Sequence, residues 1–167
     1  ASKSSAAPFT PQRQVGDFFR SAMDTNRLEQ LAFKPIEADL QRIAAVQSVE
    51  ELLRVLAHLH EHGLGAMFDT SVYADLKNSA VYAFYVGQGG LGLPERSYYL
   101  EETFTKQREA YVAHITRMLS MLGDAEVSAK AQAQLILELE TALAKASKSR
   151  VDLRDPRGET NSSVLRV

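Results

Sequence analysis

The chain has 167 residues, 45% of them hydrophobic and 24% charged, a balance typical of globular domains and not of disordered segments. Its formal net charge is only −2, with lysines and arginines scattered, so it lacks an electrostatic footprint for nucleic acid or an acidic membrane surface. No apolar run approaches the ~20 residues of a membrane span, and the lack of cysteine excludes a disulfide framework.

Residues 1–14 are rich in Ser, Ala, Pro and Gln and have no apolar core, so they read as a flexible start and not as a signal peptide. Val15, Phe18, Phe19, Ala22 and Met23 then recur at helical spacing. A short element over 26–33 follows, and Pro35 opens a third with Ile36, Leu40 and Ile43 on one face. Ser48 and Glu51 form a capping box for a helix whose apolar face is Leu52, Leu53, Val55, Leu56 and Leu59. Gly63 is its left-handed stop.

Residues 66–86 break the helical pattern. Met67-Phe68, Ser71-Val72-Tyr73 and Val81 to Val86 are β-branched or aromatic, with Lys77-Asn78-Ser79 as a turn, which predicts a short hairpin. Residues 81–86 are apolar on both alternating faces, so the spacing predicts cover on both sides. If that cover comes from another domain, the hairpin should expose an apolar patch.

The run Gln88-Gly89-Gly90-Leu91-Gly92-Leu93-Pro94-Glu95-Arg96-Ser97-Tyr98-Tyr99 departs furthest from generic helix. Three glycines beside a proline predict a tight corner with at least one glycine at positive φ. One of Tyr98 and Tyr99 should enter the core while the other faces an absent lobe, and Arg96 should make an ion pair for which Asp75 is a candidate partner. A helix over Glu102 to Leu122 follows, with Phe104, Tyr111, Ile115, Met118, Leu119 and Leu122 on its stripe. Gly123 ends it, and Asp124 is the expected cap of the next, which runs to Ser147 with a seam of Ile136, Leu139 and Leu143. So short a link favours an antiparallel pair. The predicted architecture is mainly α with a short β-hairpin insertion: a single helical domain over 15–156 and an irregular tail over 157–167.

Candidate chemistry is sparse. The four histidines are His58, His60, His62 and His114. A zinc peptidase helix needs H-E-x-x-H, with two histidines one turn apart on the metal and the Glu as base. His60-Glu61 starts that pattern, but Leu64 stands where the second histidine belongs. His58 and His62 have metal-compatible spacing but supply only two ligands, which favours a solvated helix end. Glu138 and Glu140, two apart on a helix, do not face each other and read as solvated or arginine-paired. Tyr82, Tyr85, Tyr98 and Tyr99 read as core and interface anchors. The residues therefore supply no catalytic and no metal-binding set, and they assign no substrate-binding residue.

Read together, Asp75-Leu76-Lys77-Asn78-Ser79 and the Gln88 to Tyr99 run resemble the neprilysin/endothelin-converting-enzyme family of zinc metallopeptidases. Members carry D-x-K-N-S followed by Q-x-x-L-G-L-P-x-R-x-Y-Y. Three further segments fit in order: Asp17 to Asp24, the Leu137 to Ser147 helix, and Arg154-Asp155-Pro156. The lack of cysteine fits the bacterial oligopeptidase branch best. The resemblance implies the amino-terminal, non-catalytic helical lobe of a zincin-type endopeptidase, partnered by a catalytic domain that holds zinc and cleaves peptides, with export to the periplasm or outside favoured. The family's H-E-x-x-H, downstream acidic ligand, N-A-x-Y-type segment and transition-state histidine follow the R-D-P in family order, and no segment here matches them. After the R-D-P the family has an aromatic residue before Asn, where this chain has Thr160-Asn161. The second reading is a stand-alone helical binding module derived from such a peptidase.

Overall fold

The computed structural model describes Ala7 and residues 9–75, 77–154 and 165–166. The chain divides into two compact units, Ala1–Gln47 and Ser48–Val167, where the sequence reads as one helical domain over 15–156. The helices of the first unit bury none of their own residues.

The first unit holds α1 (Pro11–Met23), α2 (Thr25–Leu31) and α3 (Glu37–Ala44), with a 3₁₀ turn over Lys34–Ile36 before α3. Helix α1 begins inside the stretch read as a flexible start, because Thr10 accepts a bond from the Arg13 amide and Pro11 supplies a helical φ in the first turn. Asp17 on α1 pairs with both Arg13 and Arg20. The predicted apolar stripe lies open, with Phe18 77% exposed.

The second unit opens with α4 (Val49–Glu61), where Ser48 Oγ accepts the Glu51 amide as the capping box requires. Gly63, at φ +76°, ends it as expected. Strands β1 (Phe68–Ala74) and β2 (Tyr82–Gln88) form the predicted hairpin, antiparallel with Val72 opposite Phe84. A third strand, β3 (Leu165–Arg166), drawn from the tail read as irregular, pairs with Ala83 and Phe84 and gives the order β1-β2-β3. Pairing there satisfies backbone groups that β2 would otherwise present at an open edge.

Full cover of β2 is not what the sheet has. Ala83 is buried, but Phe84, Tyr85 and Val86 are half-buried and Tyr82 is 70% exposed. Val72 at 59% and Tyr73 at 64% are exposed as well, on opposite faces of the hairpin.

A short α5 (Ser97–Leu100) leads through a 3₁₀ turn into α6 (Thr105–Met121), and Gly123 at φ +107° reverses the chain into α7 (Glu126–Ala146). Helices α6 and α7 pack as the expected pair. Two details differ. The N-cap of α7 is Ala125, without a side-chain bond, and Asp124 instead accepts from Gln132 Nε2 at 3.2 Å. The seam is also smaller than predicted: Ala129, Ala133 and Ala144 are the buried residues of α7, while Leu139 is 54% exposed. Small side chains let the two helix backbones approach closely, and Ile136 and Leu143 of the predicted seam are half-buried beside them.

Candidate functional site

The family-like segments of the second unit sit at the two ends of the hairpin. Asp75 is buried and its Oδ1 accepts the amides of Lys77 at 2.7 Å and Asn78 at 3.3 Å, while Asn78 Oδ1 accepts the Ala80 amide at 3.2 Å. Asp75 and Asn78 thus shape the hairpin turn through their side chains, as Asx residues do. Lys77 is exposed there, and Leu76 lies outside the described residues. At the far end of β2, Gln88 holds Lys148 twice: its Nε2 donates to the Lys148 carbonyl at 3.2 Å and its Oε1 accepts the Lys148 amide at 2.8 Å. This side chain imitates a strand partner for the segment leaving α7.

The glycines are required for distinct reasons. Gly90 takes φ +76°, and a Cβ there would come within 2.6 Å of the Met67 backbone. A Cβ on Gly89 would meet the Phe68 and Asp69 backbone at 2.9 Å. Gly92 needs no positive φ; a Cβ there would overlap the Tyr111 hydroxyl. Leu91 and Leu93 are half-buried around them, and Pro94 is exposed.

Glu140 of α7 is the centre of the corner. Its carboxylate accepts the Tyr99 hydroxyl at 2.6 Å, the Tyr111 hydroxyl at 2.9 Å and the Gly92 amide at 3.4 Å. Tyr99 in turn accepts the Leu93 amide at 2.7 Å. One carboxylate therefore ties the glycine loop, α5, α6 and α7 together. The reading of Glu140 as solvated or arginine-paired is corrected here, whereas Glu138 is exposed as expected.

Arg96 does not reach for Asp75; its Nε donates to the Ala144 carbonyl at 3.3 Å, satisfying a last-turn acceptor of α7. Glu95 takes Arg150 at 3.4 Å. Tyr99 is the core tyrosine, as expected. Tyr98 is stacked on Phe104 with ring centroids 4.1 Å apart, and its carbonyl accepts Arg108 Nη1 at 2.7 Å, so this fold itself occupies the residue expected to face an absent lobe. Of the R-D-P segment, Arg154 ends a 3₁₀ turn, and Asp155 and Pro156 lie outside the described residues.

The sequence places Tyr111 only on an apolar stripe and singles out neither Arg108 nor the role of Glu140. The available signal was the register of α7: Glu140 falls on the stripe of Ala133 and Ala144, where a charged residue needs partners.

Burial first, and donation to Glu140 second, push the Tyr99 and Tyr111 phenols well above their ordinary range. The folded chain therefore holds these protons more tightly than the unfolded chain. Above the unfolded phenol pKa of about 10 the native state binds more protons, so stability falls as pH rises. Chemical denaturation across the alkaline range should show this decline, and Glu140→Ala should flatten it. An unchanged slope in that variant would refute the coupling.

The sequence profile of peptidase family M13 matches residues 1–165. The chain belongs to peptidase family M13. It is 31% identical over 163 residues to endothelin-converting enzyme 1 of Cavia porcellus and of Homo sapiens, covering 91% of this chain and 21% of each relative. Among solved structures, Mycobacterium tuberculosis zinc metalloprotease ZMP1 in complex with inhibitor is 32% identical with a TM-score of 0.84, covering 92% of this chain and 23% of that one. PepO from Lactobacillus rhamnosis, 19% identical with a TM-score of 0.71, shares the fold. This chain thus spans about a fifth of the length of the curated relatives it matches, 21% in the first.

Such a family implies zinc, and the described residues offer no donor set that fits a catalytic ion. Among the described residues, no three His, Cys, Asp or Glu side chains converge. Both His60 nitrogens are engaged, Nδ1 with Thr70 Oγ1 at 3.0 Å and Nε2 with the Ala66 carbonyl at 3.3 Å. His62 Nδ1 donates to the His58 carbonyl at 2.8 Å, and the His58 and His62 rings lie 4.4 Å apart, a pair short of the three protein ligands a catalytic zinc needs.

Proposed function

We propose that this chain forms the amino-terminal helical region of a zinc metalloendopeptidase that cleaves peptides, and that it carries no catalytic zinc motif of its own. The observation that carries the reading is the M13 profile match over residues 1–165, against relatives of which the chain covers only about a fifth. The broken H-E-x-x-H at Leu64 supports the non-catalytic part of the proposal. Exposed apolar residues such as Phe18 and Leu139 support a role in packing against a catalytic domain, because a self-sufficient domain rarely leaves such stripes open.

In this role the corner centred on Glu140 is a rigid mount. It ties the glycine loop, α5, α6 and α7 together, so that a partner domain meets a preformed surface. Tyr99 and Tyr111 hold their protons on Glu140, and no proton transfer to substrate is assigned to them. Zinc chemistry would be supplied by the partner domain. Metal analysis of the dialysed chain should find well under one zinc per molecule. One zinc per chain, lost on His60→Ala in a variant that still folds, would overturn the proposal.

A further inference from the structure

The end of α4 carries three histidines in two distinct settings. His60 is turned to the hairpin, bonded to Thr70 Oγ1 and the Ala66 carbonyl. His58 and His62 lie four apart on one helix face, with ring centroids 4.4 Å apart. The His62 amide donates to the Leu59 carbonyl at 3.1 Å, and the His62 ring serves the His58 carbonyl instead, Nδ1 to oxygen 2.8 Å. A carbonyl only accepts, so in the neutral ring Nδ1 carries the proton and Nε2 keeps its lone pair. That is the tautomer of a metal-bound histidine, with one nitrogen on a backbone carbonyl and the other on the ion. His62 is exposed and His58 half-buried, so an ion can reach the pair from solvent.

We propose that His58 and His62 form a peripheral site for a tetragonal divalent transition ion, Cu(II) or Ni(II), with one ring nitrogen from each. The ring separation selects the class. A nitrogen held at about 2.0 Å puts its ring centroid about 3.2 Å from the ion, so two rings at about 90° stand about 4.5 Å apart and two at about 109° about 5.2 Å. The observed 4.4 Å matches the right angle. Cu(II) and Ni(II) take such sites with water in the remaining positions, whereas a tetrahedral zinc site needs further protein ligands. Among the described residues no third His, Cys, Asp or Glu joins the pair. Copper stands highest in the divalent series and binds most tightly. The bound ion clamps the last turn of α4 to its cap residue, and the folded chain gains stability with ion concentration. The site is non-catalytic, and the inference does not depend on the proposed peptidase role.

Cu(II) alone, titrated into the metal-free chain and followed by electron paramagnetic resonance, should fill one tetragonal site with two coordinated imidazoles. The urea midpoint should rise with the concentration of copper. His58→Ala and His62→Ala should each weaken binding roughly tenfold or more, since the second imidazole binds as an intramolecular ligand. His114→Ala should leave it unchanged. Ala57→His combined with His58→Ala keeps the histidine count but moves the ring about 100° around the helix, so it should bind no better than His58→Ala alone. Circular dichroism of the unloaded variants checks their folding, and His58→Gln and His62→Gln replace any alanine variant that does not fold. An affinity untouched by the changes at 58 and 62, or kept by the relocated ring, would mean an adventitious ion only and would overturn the proposal. So would a chain that takes up no copper.

Discussion

Glu140→Ala should destabilise the second unit by about 3 kcal/mol, the largest effect of any single side chain at the corner. The substitution strands the Tyr99 and Tyr111 hydroxyls and the Gly92 amide together; each bond to a charged acceptor contributes roughly 1.5–3 kcal/mol net, and water entering the vacated space offsets part of the sum. Glu140→Gln should fall between this variant and the parent, since a carboxamide keeps one acceptor oxygen and the tyrosine hydroxyls can reorient. Urea denaturation followed by circular dichroism measures both. A Glu140→Ala midpoint equal to that of the parent would mean that packing alone holds the corner.

Gly92→Ala should cost about 2 kcal/mol, in the range of overpacked sites. The Gly92 backbone tolerates a Cβ, so the penalty comes entirely from Tyr111, whose hydroxyl occupies that space and is pinned by Glu140. Tyr111→Phe removes the pin and lets the ring swing aside. The double variant should therefore cost less than the sum of the two single ones, which is the signature of direct coupling. Additive costs would show that Gly92 serves the backbone and not the tyrosine. Gly90 offers the contrast: it is obstructed by Met67 backbone at φ +76°, and no side-chain change relieves it.

Much of the fold was legible because it rests on local chemistry. Ser48 caps α4, Gly63 and Gly123 stop helices at positive φ, and Gly90 supplies the predicted turn. Each of these follows from a residue and its immediate neighbours. The hairpin was legible from its β-branched and aromatic residues, and five ordered motifs carried the family. The site was harder to see. Glu140 stands two residues from Glu138 in sequence, while its partners lie 41 and 29 residues away on other elements. Arg96 was matched to a carboxylate by charge, yet a helix end offers unsatisfied carbonyls that serve equally well. The alanine seam of α7 was passed over because apolar periodicity weights leucine and isoleucine above the small residues that decide helix approach. These misses are long-range contacts, which a single sequence does not order.

The most direct measurement is cleavage of an internally quenched peptide by the purified chain with zinc supplied. The account predicts no turnover above the uncatalysed background, because no three His, Cys, Asp or Glu side chains converge among the described residues. Zinc-dependent cleavage that persists through repurification and disappears on His60→Ala would contradict it, and would place the catalytic centre within these 167 residues.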